Sequence, residues 1–343
     1  MNLNVNADIS KAKSIDSAFY KEQKYFNLSL NKIFKKSWQL TCHQSELLNN
    51  NIYPFIFLEN SIDEPLIITK SDDSISCLSN VCTHRGHIIH DKKCTRKKMM
   101  CGYHGRTFNL NGKIDKMPGF EGVKNFPTLQ DNLINFPILT WNDFVFTAIN
   151  PVIDIKDILE DISNRLPDYP FNKIAYSKEY SNTYNLDANW AVYCENYLEG
   201  LHVPFVHRGL ASEINMSSYK TEILNNGVLQ YTDSSTDEAY AHYYWIFPNI
   251  MLNFYSWGLS VNIVEPISTN QTKIRFLSYP IKNSRNIRKK INDLHKVEME
   301  DEKVVLNVQK GIQSEFYKNG RYSAHYEKGT HHFHRLICKY INQ

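Results

Sequence analysis

Asn80-Val81-Cys82-Thr83-His84-Arg85-Gly86 and, one loop later, Cys101-Gly102-Tyr103-His104-Gly105 each offer a thiol and an imidazole within a single turn of chain. Both stretches fall in a region, about Tyr53 to Val145, of short alternating runs such as Phe55-Ile56-Phe57-Leu58, Pro65-Leu66-Ile67-Ile68 and Ile75-Ser76-Cys77-Leu78. Runs of that length broken by Asp, Asn, Gly and Pro predict a small antiparallel β-domain. Asn111-Gly112 between Phe108 and Ile114 predicts a hairpin turn, because both residues tolerate positive φ. Two hairpin tips can clamp a metal from opposite sides. Two Cys and two His suit a 2Fe-2S cluster in which His replaces Cys on one iron, and they also suit tetrahedral zinc. Zinc fingers usually take two Cys from one knuckle and two His from another. Each loop here is mixed, which favours the cluster.

Working outward, Ser17 to Leu40 carries Phe19, Tyr25, Phe26, Leu28, Leu30, Ile33, Phe34 and Trp38 at spacings that predict one or two helices. Downstream, Ile155 to Leu166 reads as a helix, and alternating strands follow from Ala175 to Asn185 and from Gly227 to Tyr279. Asn292 to Tyr317 predicts one long amphipathic helix with Leu294, Val297, Val304, Val305, Val308 and Ile312 as buried positions. The second half is therefore expected to be α+β.

A second constellation lies in that half: Asn189-Trp190, then Glu195-Asn196-Tyr197-Leu198-Glu199-Gly200-Leu201-His202-Val203-Pro204-Phe205-Val206-His207. Glu199 and His202, three apart, would share a helix face, and Pro204 would bend the chain to return His207 to His202. Two His and a carboxylate with open positions describe the facial triad of Fe(II) oxygenases. A pair of His on a helix is otherwise more often structural. The acidic run Glu298, Glu300, Asp301, Glu302 reads, by itself, as a solvated helix face.

Length allows two domains, and 42% hydrophobic against 22% charged residues leaves no case for extended disorder. The net charge of +3 is small and Lys and Arg are scattered, so no nucleic-acid partner is expected. Seven irregularly spaced cysteines argue against a secreted disulfide framework. A polar start without an apolar leader, and no long apolar run, predict a cytoplasmic protein without a membrane segment. His87, His90 and Cys94 read as bystanders, and the His331-His332-Phe333-His334 tract reads as surface or packing.

With both constellations in view, the chain resembles the oxygenase (α) subunits of Rieske non-haem iron oxygenases, the group that includes aromatic-ring-hydroxylating dioxygenases and choline-monooxygenase-like enzymes. The resemblance covers nearly the whole chain. It implies a small antiparallel β Rieske domain at residues 38–150 and a helix-grip (START-like) α+β catalytic domain at 151–343, with 1–37 a helical segment packing on the latter. It implies a Rieske 2Fe-2S cluster on Cys82, His84, Cys101 and His104, and mononuclear Fe(II) on His202, His207 and Asp301, with Glu300 the substitute for Asp301. Glu199 would be no ligand but a bridge to a cluster His of the neighbouring subunit. Cluster and iron of one chain lie too far apart in that family, so a homotrimer is expected, fed by a separate NAD(P)H-dependent reductase directly or through a ferredoxin. The implied activity is mono- or dioxygenation, hydroxylating or demethylating a small aromatic or quaternary-ammonium substrate with O2. Glu199, where several members have Asp, leans to the latter. Tyr231, Tyr243, Tyr244, Trp245, Phe247, Phe254 and Trp257 would line the substrate cavity or fill the core. Arg106 stands where many members have Trp and would change packing rather than ligation. Two other readings stay open: a Rieske electron-transfer protein without a working mononuclear iron, and a zinc-stabilised helix-grip module holding an apolar ligand.

Overall fold

The computed structural model describes residues 2–71, 74–207, 219–232 and 241–343, so part of the second predicted strand run (233–240) lies outside the described residues. The chain divides into two compact units, Trp38–Pro151 and, together, Met1–Ser37 with Val152–Gln343.

The first unit is all antiparallel: β1 (Gln39–His43), β2 (Ile52–Phe57), β3 (Glu64–Lys70), β4 (Ile75–Ser79), β5 (Met99–Met100), β6 (Thr107–Phe108), β7 (Ile114–Lys116), β8 (Asn135–Phe136), β9 (Ile138–Trp141) and β10 (Phe144–Thr147). They form sheets in the orders β2-β3-β4-β8, β1-β10-β9 and β5-β6-β7. The turn at Asn111-Gly112 joins β6 to β7, and of the two residues only Gly112 takes a positive φ. Ile52, Ile67, Leu78, Met99, Phe108 and Leu133 form one buried cluster with Cys82 and Cys101. The two thiols are therefore built into the core of this unit.

In the second unit the expected N-terminal helix is shorter and irregular. α1 (Ala18–Lys21) and α2 (Gln23–Leu28) run into a π turn at Ser29–Ile33 and a 3-10 turn at Phe34–Lys36, and the strand β1 has begun by Gln39. Ser29 Oγ donates back to the Tyr25 carbonyl at 2.8 Å, the kind of local competition that distorts a helix. α3 (Lys156–Arg165) precedes β11 (Ser177–Leu186), α4 (Trp190–Tyr197) and α5 (Val203–Val206). Then come β12 (Tyr219–Leu224), β13 (Gly227–Thr232), β14 (Ala241–Ile246), β15 (Ile250–Tyr255), β16 (Gly258–Ser268) and β17 (Gln271–Pro280), followed by α6 (Ile287–Ile312) and α7 (Lys328–Ile341). The described strands form one antiparallel sheet in the order β11-β17-β16-β15-β14-β13-β12, gripped by helices.

Pairing of Gln230 with Tyr243, Tyr243 with Asn253, and Met251 with Asn262 puts Gln230, Tyr243, Asn253, Tyr255 and Asn262 on one face. The other face holds Tyr244 and Phe254, both fully buried, with the Tyr244 hydroxyl donating to Asp161 of α3. The sequence-derived list of cavity aromatics therefore mixed two faces: Tyr244 and Phe254 are core.

The long C-terminal helix is displaced from its expected span, starting at Ile287 after a left-handed Asn286 and ending beside Gly311. Ile291, Glu298, Val305 and Ile312, seven apart, are its buried stripe together with Gln309, whereas Val308 is exposed. Glu298 is thus an acid in a core position and not part of a solvated face.

Candidate metal centres

Around Cys82 and Cys101 the backbone uses one scheme twice. The Cys82 N–H donates to the His87 carbonyl and the Gly86 N–H to the Cys82 carbonyl; the Cys101 N–H donates to Arg106 and the Gly105 N–H to Cys101, all at 2.8–3.1 Å. Closing the turn this way drives the glycine to positive φ, +73° at Gly86 and +72° at Gly105, where a side chain would be strained. Each loop so formed keeps its Cys in the core and carries its His outward: Cys82 and Cys101 are buried, His84 is half-buried and His104 exposed. The two rings meet at 4.8 Å between centroids, with their Nδ1 atoms 3.2 Å apart. Burial pushes the Cys82 thiol up, and its hydrogen bond with the Cys101 thiol adds to the shift. A buried thiol that resists ionisation needs a cation beside it to be held as a thiolate.

Among the described residues, the group of His, Cys, Asp and Glu whose donor atoms all lie within 4.8 Å of one another is His202, His207 and Asp301. The two thiols and two imidazoles of the β unit do not close on one such point. Two mixed Cys/His loops facing each other fit a Rieske-type cluster on this set. His90 Nδ1 and Cys94 Sγ lie 3.8 Å apart, paired with each other.

The second site is assembled from α5, α6 and the turn between α4 and α5. α4 ends at Tyr197, so Glu199 and His202 do not share a helix face as the spacing predicts. Instead Glu199 closes a turn: its Oε2 accepts from the backbone N–H of Leu201 and of His202, and its Oε1 lies 2.5 Å from His202 Nδ1. Pro204 is not the bend either. It sits at the start of α5, where a missing N–H costs nothing. His207 caps that short helix, bringing the two rings to 5.2 Å at 78°.

Asp301 Oδ1 lies 3.4 Å from His202 Nε2 and 3.0 Å from His207 Nε2. Glu300 takes the other side of His207, with Oε2 2.7 Å from Nδ1. Each imidazole thus has one nitrogen held by a glutamate and the other facing Asp301, an arrangement in which outer partners fix ring orientation and leave Nε2 for a metal. Burial pulls the His207 imidazole down, but its hydrogen bonds to the Asp301 and Glu300 carboxylates outweigh it and hold it above its ordinary value. A pocket that draws a proton onto an imidazole draws a dication more strongly. Two His and one carboxylate fit Fe(II) with open positions.

Sequence reasoning missed the outer role of Glu300, the burial of Glu298 and the tyrosines beside the site. Glu298 accepts from Tyr184 (2.5 Å), from Tyr193 and from Asn262 (3.4 Å). Burial raises its carboxyl to about 7 despite those bonds. A Cβ on Gly200 would fall 2.9 Å from the Tyr219 ring, so Tyr219 packs directly on the turn carrying Glu199 and His202. The Tyr219 hydroxyl donates to Gln230, whose amide donates to the Tyr197 carbonyl, and the Tyr197 hydroxyl donates to Asn253. In the His-rich tract, His334 is buried against Glu195, Tyr20 and Tyr322, a packing role with an acid the sequence did not reveal.

Residues 37–127 match the family Rieske [2Fe-2S] domain, and residues 174–228 and 219–343 match Ring hydroxylating alpha subunit (catalytic domain). Choline monooxygenase of Arabidopsis thaliana, a chloroplastic protein, is 26% identical over 96% of this chain and 83% of its own length. The carnitine monooxygenase oxygenase subunit of Escherichia coli (strain K12) is 27% identical over 98% of this chain and 96% of its own. A solved quaternary ammonium Rieske monooxygenase, described for carnitine oxidation by gut microbiota and inter-subunit electron transfer, has a TM-score of 0.83 at 22% identity, covering 98% of this chain and 100% of that one. No helix among the described residues is long and apolar enough to cross a membrane.

Proposed function

We propose that this chain, which belongs to the family of Rieske non-haem iron oxygenase α subunits and is the oxygenase component of such a system, oxidises a small quaternary-ammonium compound. Its cofactors are a Rieske 2Fe-2S cluster and a mononuclear iron. When bound, the first supplies single-electron transfer and the second O2 activation. Cys82, His84, Cys101 and His104 would hold the cluster, and His202, His207 and Asp301 the iron. Glu199 and Glu300 fix the tautomers of His202 and His207 from behind, so that neither ring must reorient when metal enters.

The observation that carries the substrate reading is Glu298, a buried carboxylate one helical turn from Asp301, with Asn262, Asn253 and Tyr197 leading from it to Tyr243 and Tyr255. A neutral aromatic gains nothing from a buried carboxylate. A trimethylammonium group would hold Glu298 ionised, gaining charge pairing from it and cation–π contact from the rings. The choline and carnitine monooxygenases among the relatives support the same class.

Inserting one atom of O2 and reducing the other to water takes two electrons and two protons. In this reading a separate NAD(P)H-dependent reductase, directly or through a ferredoxin, supplies the electrons. A homotrimer brings Glu199 of one subunit beside the cluster of the next. Glu199 Oε2 is spent on two backbone N–H groups, but Oε1 has one partner and keeps a lone pair for that bridge.

The test is O2 uptake by the iron-loaded protein with a reductant. Uptake coupled to oxidation of choline, carnitine or another quaternary ammonium is expected, and Glu298→Gln should raise KM more than it lowers kcat. Better turnover of a neutral aromatic, or an unchanged KM in Glu298→Gln, would overturn the substrate reading.

A further inference from the structure

Arg106 is only 2% exposed, although a guanidinium stays charged at any ordinary pH. It touches both ligand loops. Its carbonyl accepts from the Cys101 N–H at 2.8 Å, and its Nη1 donates to the Thr83 hydroxyl, between Cys82 and His84, at 2.8 Å. Thr83 in turn donates to the Asp131 carbonyl at 2.7 Å, and the Asp131 carboxylate stands 3.4 Å from Nη1. Phe120 and Phe126 lie 5.4 and 5.3 Å from the guanidinium carbon, and the Phe120 ring is 5.4 Å from the His84 ring. The Arg106 Nε–H is buried and has no hydrogen-bond partner among the described residues.

Packing alone does not account for this. An apolar side chain would fill the space between the rings without the desolvation cost of a buried charge. Among the described residues the carboxylate paired with it is Asp131, whose Oδ1 is at a loose 3.4 Å and whose Oδ2 accepts from the Thr128 N–H and hydroxyl. A positive charge is thus left incompletely neutralised, with a spare N–H, beside the loops that hold the cluster. Net charge and hydrogen bonding around an iron–sulfur cluster set its reduction potential, and an adjacent cation favours the form carrying the extra electron.

We propose that Arg106 raises the reduction potential of the cluster held by Cys82, His84, Cys101 and His104, and that Asp131 limits the size of the increase. Arg106 is a positioning and tuning residue, since it acts through the ligand loops and binds no iron. The cluster gains one electron from an external reductant, and no bond in the chain is made or broken.

The test is a dithionite titration of the full-length, cluster-loaded protein against redox dyes, followed by visible absorbance, with iron and sulfide counted in each variant. Arg106→Gln should lower the potential by ~tenfold in the one-electron equilibrium, which is about 59 mV. Arg106→Lys should keep most of the wild-type value. Asp131→Asn should shift it the opposite way, to higher potential. A structural role would loosen the loops in both variants and could not give opposite signs. An unchanged or raised potential in Arg106→Gln, or a lowered or unchanged one in Asp131→Asn, overturns the proposal. If Arg106→Gln fails to hold the cluster, Asp131→Asn decides by the same criterion.

Discussion

In the loops around Cys82 and Cys101 each thiol and its imidazole lie within four residues, and one backbone scheme serves both. His202, His207 and Asp301, by contrast, meet only because α6 returns residue 301 across 94 residues of chain. The first site is specified by local turns and needs only that two hairpins pack on a common core. The second needs the sheet, α5 and α6 all in place before its donors converge, so its geometry inherits every packing change in that unit. Insults of similar chemical size should therefore act differently on the two.

The sharpest contrast comes from deleting a donor in the local site. Cys82→Ser or Cys101→Ser should abolish the cluster's visible spectrum and its sulfide while leaving the mononuclear iron, because a hydroxyl does not replace a soft thiolate. Cys94→Ser should keep both. Loss of the spectrum in Cys94→Ser would mean that the ligand loops are misassigned.

In the long-range site, Asp301→Ala should remove the iron and spare the cluster. Glu300→Ala, which takes away only the outer partner of His207, should retain iron at ~10 to 100-fold weaker affinity. Iron analysis by equilibrium dialysis separates them. If Glu300→Ala loses iron completely and Asp301→Ala does not, the two acids have been given each other's roles.

Backbone strain tests the local scheme directly. Gly105→Ala forces a Cβ to φ +72° and should destabilise its loop by roughly 1–2 kcal/mol, read as faster loss of the visible spectrum on heating. No loss would show that the turn relaxes without strain.

The smallest effect is electrostatic. In iron-free protein Glu298, raised to about 7 from its ordinary 4.5, binds its proton more tightly folded than unfolded. Its contribution is complete below 4.5 and is lost as pH rises through about 7. Thermal melts across that window should therefore fall with pH, and less steeply in Glu298→Gln. Equal slopes would place the titration elsewhere.

The contrast also explains what could be read from sequence. The two like loops that pair Cys82 with His84 and Cys101 with His104 were legible because Cys, His and Gly sit at spacings that one turn can satisfy. His202 and His207 were legible for the same reason, but their local backbone was not. A Glu-x-x-His spacing suits a helix face, and only the structure shows α4 stopping at Tyr197 and Glu199 closing a turn. Asp301 stood in a run of four acids that local spacing cannot rank. Glu298 did have a signal: with Ile291, Val305 and Ile312 it completes a seven-residue spacing, which placed it in the buried stripe. The tyrosine face needed strand register. Neighbouring residues such as Tyr243 and Tyr244 point to opposite sides, and a list drawn from composition kept both.

Glu298, Glu300 and Asp301 ride on one continuous helix of 26 residues. Two and then one residue apart, the carboxylate that would greet a cationic guest, the one that steadies His207 and the one that faces both imidazoles share little more than one turn of that helix, so a shift of its backbone there carries all three. A cation that paired with Glu298, as proposed, would bear on the same helix face that carries Asp301 to the His202–His207 pair.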